Sequence, residues 1–428
     1  MFQTANSSQV KNTTHKVIIP FYVYAAISLL AATILLLFST EAFTQHSFHP
    51  HTLAITHVMA LGWGTMMILG ASHQLVPVLI EGKLFSNTLA ILSFVTAGAG
   101  IPLLVYSFYV FNLGWPAWTG GILINLAILF YIINLAGSML QSKKENVHAI
   151  FIFSAAAWLL LTTLVGFFLM VNFTQLIFTQ DSVHYLSLHA HLGIIGWFLL
   201  MVTGVGSRLI PMFLISKYNN EKSLWIIYFL INAALFIFII QFFFFPYPLF
   251  YLVPAFIILL SLTMFGYFCY KAYKERIRKH VDKQMKISLL SIFMTALPVF
   301  FLIVILFLLY FSKQNSQLVL AYGFTIFFGW ITAIILGMTF KTLPFIVWNK
   351  VYHAKAGLGK TPNPKDLFSE NIFRGMGIFY LSGFFTFAAG ILFSNDLLKK
   401  SSAVLLIIMA VLYNWNIFKM LFHKPILK

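Results

Sequence analysis

Long apolar stretches, separated by short polar ones, run through almost the whole 428-residue chain. A helix needs about 20 mainly apolar residues to cross a hydrocarbon layer of about 30 Å. Stretches of that length occur at roughly residues 17–40, 50–80, 86–112, 116–141, 148–173, 183–215, 222–245, 248–272, 286–311, 317–348, 371–394 and 400–422. The pattern predicts an all-α polytopic membrane protein with twelve transmembrane helices.

One stretch occurs three times, in the second, sixth and tenth of these segments. The copies are HVMALGWGTMMILGASHQLVP (57–77), HLGIIGWFLLMVTGVGSRLIP (191–211) and FTIFFGWITAIILGMTFKTLP (324–344). Each has a Gly-Trp pair at its sixth and seventh positions, and a period of this length indicates a repeated supersecondary unit. We therefore predict a single transmembrane domain over residues 1–428. Its helices would form three pseudo-repeated four-helix arcs, at about 1–145, 146–283 and 284–428.

The distribution of charge predicts the orientation and excludes a soluble protein. The chain is 60% hydrophobic and 9% charged, whereas soluble domains carry about 25% charged residues. Its net charge of +17 does not indicate a nucleic-acid partner, because basic residues concentrate in alternate loops, as the positive-inside rule requires. We expect a multi-pass protein of the bacterial inner membrane, in contact with the lipid bilayer and with both termini in the cytoplasm. The basic residues behind this argument are Lys11, Lys16, Lys83, Lys143, Lys144, Lys217, Lys222, the run Lys271 to Lys286, Lys350, Lys355, Lys360, Lys365, Lys424 and Lys428.

The cysteine and carboxylate residues of the chain exclude some kinds of site and make proton pumping unexpected. Cys269 is the only cysteine, so the chain has no disulfide framework and no CxxC motif. All ten Asp and Glu residues fall in loops or at predicted helix ends. A proton relay through the membrane usually uses a carboxylate within a span, so we do not expect proton pumping.

Histidine is the residue type that points to a cofactor. Seven of the thirteen His gather where the second and sixth segments begin, namely His46, His49, His51, His57, His184, His189 and His191. Imidazole is a common ligand of haem iron, copper and zinc. His57 and His191 occupy the same repeat position, so they would face each other across a common centre with Phe324 as the third wall. His189, two residues from His191, would point to nearly the opposite side of a regular helix.

The helix number and the stretch from His57 to Pro77 resemble subunit I of the haem-copper oxidases, most closely the nitric oxide reductase branch. The resemblance implies that His57 is an axial ligand of a haem b near the outer face, with His191 or His189 as the second ligand. Trp63 and Trp197 would then lie against the flat cofactor, and a cytochrome c or another subunit would donate electrons. The same tryptophans also fit ordinary helix packing.

The chain departs from that family in its other ligands. It has no His-His pair and no His in the seventh or tenth segment, so a complete haem-copper centre is not expected. The function implied is the handling of electrons or of a diatomic gas (NO or O2), by an oxidoreductase if the protein is an enzyme.

Two other functions fit the sequence. Copper or another metal could bind His49, His51, His57, His184 and His191, as in a metal carrier or a respiratory assembly factor. The chain could also be a cofactor-free transporter, although it lacks a charged residue in mid-span.

Overall fold

The computed structural model describes residues 13–80, 82–142, 146–277, 279–353 and 361–425. Within these ranges it contains no β-strand, and twelve helices are long and apolar enough to span a membrane, which confirms the predicted fold class. The basic residues Lys11, Lys143, Lys144, Arg278, Lys355, Lys360 and Lys428 lie outside the described ranges. The helices are α1 His15–Phe38, α2 Pro50–Leu79, α3 Asn87–Tyr109, α4 Trp115–Leu140, α5 Val147–Thr174, α6 Leu186–Leu214, α7 Glu221–Phe244, α8 Pro248–Lys274, α9 Lys283–Tyr310, α10 Ser316–Tyr352, α11 Glu370–Leu392 and α12 Asp396–Leu421.

Short polar side chains define where most of these helices begin. A side-chain oxygen of the residue before the helix accepts a hydrogen bond from a backbone N–H of the first turn, as preferred N-cap residues do. The caps are Ser86 for α3, Asn146 for α5, Asn220 for α7, Asp282 for α9, Asn315 for α10, Ser369 for α11 and Asn395 for α12. These residues are the polar breaks that separate the apolar stretches of the sequence.

The three helices that carry the repeated stretch form the centre of the bundle. In the most apolar 18-residue stretch of each helix, 78% of the residues are buried in α2 and α10 and 56% in α6. The share is 28–50% in the other nine helices. The outer helices instead expose large apolar side chains such as Phe236, Phe256 and Phe300. Such a surface fits contact with lipid on all sides of the bundle.

Each central helix contains a π-helical segment at the same place in the repeat. The segments are Val58–Thr65, Leu192–Leu199 and Thr325–Ile331, each directly after the first residue of its copy, and each includes the Gly-Trp pair. π-Helical turns are rare and occur frequently at functional sites. The three copies therefore share local structure as well as sequence. The grouping of the helices into three arcs stays a prediction.

Hydrogen bonds from tryptophan join the central helices. Trp63 Nε1 of α2 donates to Thr332 Oγ1 of α10 at 3.1 Å, and Trp197 Nε1 of α6 donates to Thr65 Oγ1 of α2 at 3.0 Å. Thr65 and Thr332 hold the same position in their copies of the repeat. The residue at that position in α6 is Leu199, which has no hydroxyl group to accept a third such bond. Two of the three helix pairs thus carry the same specific contact.

Glycine lets each central helix approach the helix before it. A Cβ added to Gly70 would lie 2.6 Å from Phe21 Cβ of α1, and one added to Gly204 would lie 2.3 Å from Phe151 Cβ of α5. A Cβ on Gly337 would meet α9 in the same way. Small residues at helix crossings allow this close approach inside membranes.

Candidate functional site

A cavity of about 700 Å³ lies at the end of the bundle where the even-numbered helices begin. We call this the His end, because the seven clustered histidines lie there. Its walls come from α2 to α10 and are mostly apolar, and no Lys, Arg, Asp or Glu lines it within the described ranges. Pockets that hold cofactors or other small ligands measure about 300–1,000 Å³ and are largely apolar, with a few convergent polar groups.

His57 and His189 form a pair of imidazoles in this cavity. Their ring centroids are 6.3 Å apart and their planes differ by 17°. Nδ1 of His57 bonds to Leu53 O at 2.7 Å, and Nδ1 of His189 bonds to Thr162 O at 3.1 Å. A carbonyl oxygen only accepts hydrogen bonds, so each Nδ1 carries the proton and donates it. Each Nε2 is then the unprotonated nitrogen, which is the arrangement expected of a metal-ligating histidine.

His191 lines the same cavity but has a different neighbour. Its Nδ1 donates to Ser187 O at 2.7 Å, and its Nε2 lies 3.1 Å from the Tyr322 hydroxyl of α10. The tautomer fixed by Ser187 makes Tyr322 the donor to Nε2. The structure thus places His189, not His191, beside His57. The two histidines of α6 point to different sides, as their spacing of two residues in a helix requires.

Phe324 is the first residue of the third copy of the repeat and corresponds to His57 and His191 of the other two copies. It lines the cavity as expected, and its ring stacks on those of Phe328 (4.9 Å), Phe384 (5.7 Å) and Phe387 (4.7 Å). Aromatic rings therefore occupy the place where a third histidine would stand.

The two predicted tryptophans have different surroundings. Trp197 lines the cavity, whereas Trp63 is fully buried away from the described lining residues and packs edge-on against Tyr413 at 5.3 Å. Helix packing therefore fits Trp63, whereas Trp197 is also part of the cavity wall.

The outer histidines do not converge on the cavity. His51 stacks on Tyr109 with centroids 4.2 Å apart, and its ring lies 5.1 Å from that of His49. His184 packs against Tyr185 and Phe242. Within the described part of the chain, no three His, Cys, Asp or Glu side chains are grouped so that they could hold a metal ion. The structure does not bring the five predicted metal ligands together.

We expect the stability of the protein to depend on the protonation of His49, which caps α2. Its Nδ1 accepts a hydrogen bond from the backbone N–H of His51 at 3.2 Å. Partial burial, and then the nearby His51 and His46, lower the pKa of His49. As the pH falls, the unfolded chain therefore takes up the proton first, and the cap's contribution is present above about pH 6.5 and lost below it.

His49→Asn is the matched variant, because Asn also caps helices and does not titrate. Between pH 7.5 and 5.5 we expect the Tm of the wild type to fall more than that of the variant, with similar Tm values at pH 8. Equal slopes would show that His49 contributes nothing to the pH dependence.

No protein-family model matches the chain, and no curated protein matches it significantly. The site therefore has to be interpreted from its own geometry. Sequence reasoning missed Tyr322, although a signal was present. Tyr322 stands two residues before Phe324, which is the position that His189 has relative to His191.

Proposed function

We propose that this multi-pass membrane protein binds haem b, with His57 and His189 as axial ligands. Two imidazoles that would hold one metal ion through their Nε2 atoms need a gap between their rings that is wide enough for the ion, since a metal–imidazole bond is about 2 Å long. The separation of 6.3 Å between these rings is the observation that carries the proposal. Haem needs only two protein ligands, whereas a structural zinc site usually has four and a catalytic one three.

The surrounding residues support the same proposal. The carbonyl groups of Leu53 and Thr162 hold each imidazole in the tautomer that presents Nε2. The apolar walls keep water away, and both features tune a bound iron. The haem would supply one-electron or gas-binding chemistry. We infer a role in the handling of electrons or of NO or O2, in a relative of haem-copper oxidase subunit I without a complete haem-copper centre.

The charge distribution supports a location in the bacterial inner membrane. Basic residues such as Lys217, Lys222 and Lys350 lie at the end of the bundle opposite the His end. By the positive-inside rule, this distribution supports an orientation with both termini in the cytoplasm and the His end at the outer face. An electron donor such as a cytochrome c would approach from that face.

An absorption spectrum of the purified protein, air-oxidised and then dithionite-reduced, tests the proposal. We expect a Soret band, sharp reduced α and β bands, and one haem per chain in a pyridine haemochrome assay. A band shift with carbon monoxide would show an open coordination position and favour gas chemistry. The absence of a Soret band after haem-replete expression would refute the proposal, and bound copper in that sample would favour the metal carrier.

A further inference from the structure

The cavity has a second side, away from the His57–His189 pair. This α7–α10 side is lined by Phe238, Ile258, Leu302, Leu306 and Tyr322. His191 points into it, with its ring 5.1 Å from that of Phe238. The polar pair of His191 and Tyr322 therefore stands within a largely apolar wall.

The direction of the hydrogen bond between these residues determines what the site can bind. Ser187 O takes the Nδ1 proton of His191, so the Tyr322 hydroxyl donates its proton to Nε2. The phenol oxygen then has no proton left to donate, but it keeps lone pairs that can accept. A hydroxyl that donates to a strong acceptor becomes a better acceptor itself, because hydrogen bonds in a chain polarise one another. The site thus offers an acceptor to a ligand that carries a hydrogen-bond donor.

The residues of the cavity wall determine the charge and the polarity that the rest of the ligand can have. No charged residue lines the α7–α10 side of the cavity within the described ranges, so a charged group of a ligand would remain uncompensated on this side. The outer wall on this side comes from α7, α8 and α9, whose most apolar windows are each only 28% buried, the lowest share among the spans. Helix α9 is also interrupted at Thr295, and Pro298 of the next turn lines the cavity. These three helices therefore expose the largest share of their apolar residues at the outer surface of the bundle.

We propose that the α7–α10 side of the cavity binds a neutral, lipid-soluble molecule with an aromatic hydroxyl group, which donates to the Tyr322 oxygen. The chemistry is that of a reduced quinone headgroup or of another phenolic lipid. The proposed acceptor is the Tyr322 oxygen and not a group of the His57–His189 pair, so the proposal does not rest on haem binding.

Two probes of nearly equal shape test this site, 1-naphthol and 1-methoxynaphthalene, of which only the first can donate a hydrogen bond. Their Kd values are measured from the quenching of tryptophan fluorescence, because Trp197 and Trp330 line the cavity. The wild type is compared with the double variant His191→Leu/Tyr322→Phe, which removes both polar groups. For each probe, the Kd of the double variant is divided by the Kd of the wild type, so the partition of that probe into detergent cancels. Tyr251→Phe is the control, since Tyr251 lines the same cavity.

We expect the double variant to bind 1-naphthol about tenfold more weakly, the value of one hydrogen bond. The Kd of 1-methoxynaphthalene should change by less than about twofold, and Tyr251→Phe should resemble the wild type. Equal ratios for the two probes would overturn the proposal, because apolar contact alone would then explain binding. If the double variant does not fold, competition in the wild type decides. A reduced short-chain quinol that displaces 1-naphthol supports the site, and displacement by its dimethyl ether, which lacks the donor, overturns it. Haem content is measured on the same samples, so failure of haem binding and failure of this site are distinguishable.

Discussion

His57→Ala is expected to abolish haem retention. The substitution removes one of two imidazoles whose centroids lie 6.3 Å apart and whose Nδ1 atoms are held by carbonyl groups. A methyl group cannot ligate iron as an imidazole would, and the remaining cavity wall is largely apolar. The measurement is the haem-to-protein ratio in the pyridine haemochrome assay, which we expect to fall from about one to near zero.

Three companion variants identify the second ligand. His189→Ala should lose haem, or should keep a five-coordinate form that binds carbon monoxide. His191→Ala should keep the wild-type spectrum, since the His191 ring pairs with Tyr322 instead. His184→Ala is the control, because His184 is not among the described residues that line the cavity. Loss of haem in His191→Ala together with retention in His189→Ala would make His57 and His191 the pair.

The second large effect is expected from Gly337→Ala, at the crossing of α9 and α10. The new Cβ would lie 2.2 Å from Ser288 Oγ and 2.8 Å from both Gln284 O and Ser288 N. Two of these atoms belong to the backbone of α9, so relief requires the two helices to separate. Overpacking of this kind typically costs about 1–3 kcal/mol, occasionally more. We expect a lower Tm and a smaller monodisperse fraction in size-exclusion chromatography.

Gly323→Ala, in the same helix, is the matched control. Nothing lies within 4 Å of the position that its Cβ would take. Alanine is favoured over glycine in a helix by about 1 kcal/mol, so this variant should be as stable as the wild type or more stable. Equal behaviour of the two variants would show that the α9–α10 crossing is not tight at Gly337.

The length of the apolar stretches was enough to predict the helices. Every predicted boundary lies within four residues of the corresponding helix end. The largest differences are at the end of α10, which continues to Tyr352, and at the start of α12, which begins at Asp396. Both extensions contain charged residues, Lys350 in α10 and Asp396 and Lys399 in α12, and a search for uninterrupted apolar stretches stops at such residues. Asn395 caps α12 through a bond from the backbone N–H of Leu398.

The histidine cluster was also evident from the sequence, but the pairing within it was not. Whether His189 or His191 faces His57 depends on the rotation of α6 about its axis. The repeat gives His191 the position of His57, so the sequence favoured His191 and did not indicate that rotation. The π-helical segments were equally hidden, because a wider turn leaves no distinct pattern in a stretch of uniformly apolar residues.

The contact between the first and the last helix has a consequence for biosynthesis. Asn414 Nδ2 of α12 donates to Ala26 O of α1, a contact between residues 388 positions apart. Trp63 likewise finds its acceptor, Thr332, 269 residues later. A ribosome that adds about 5–20 residues per second needs on the order of 20–80 s to span the longer interval. During this interval α1 and α2 lie in the bilayer without these partners. The two hydrogen bonds form only after α10 and α12 have been inserted.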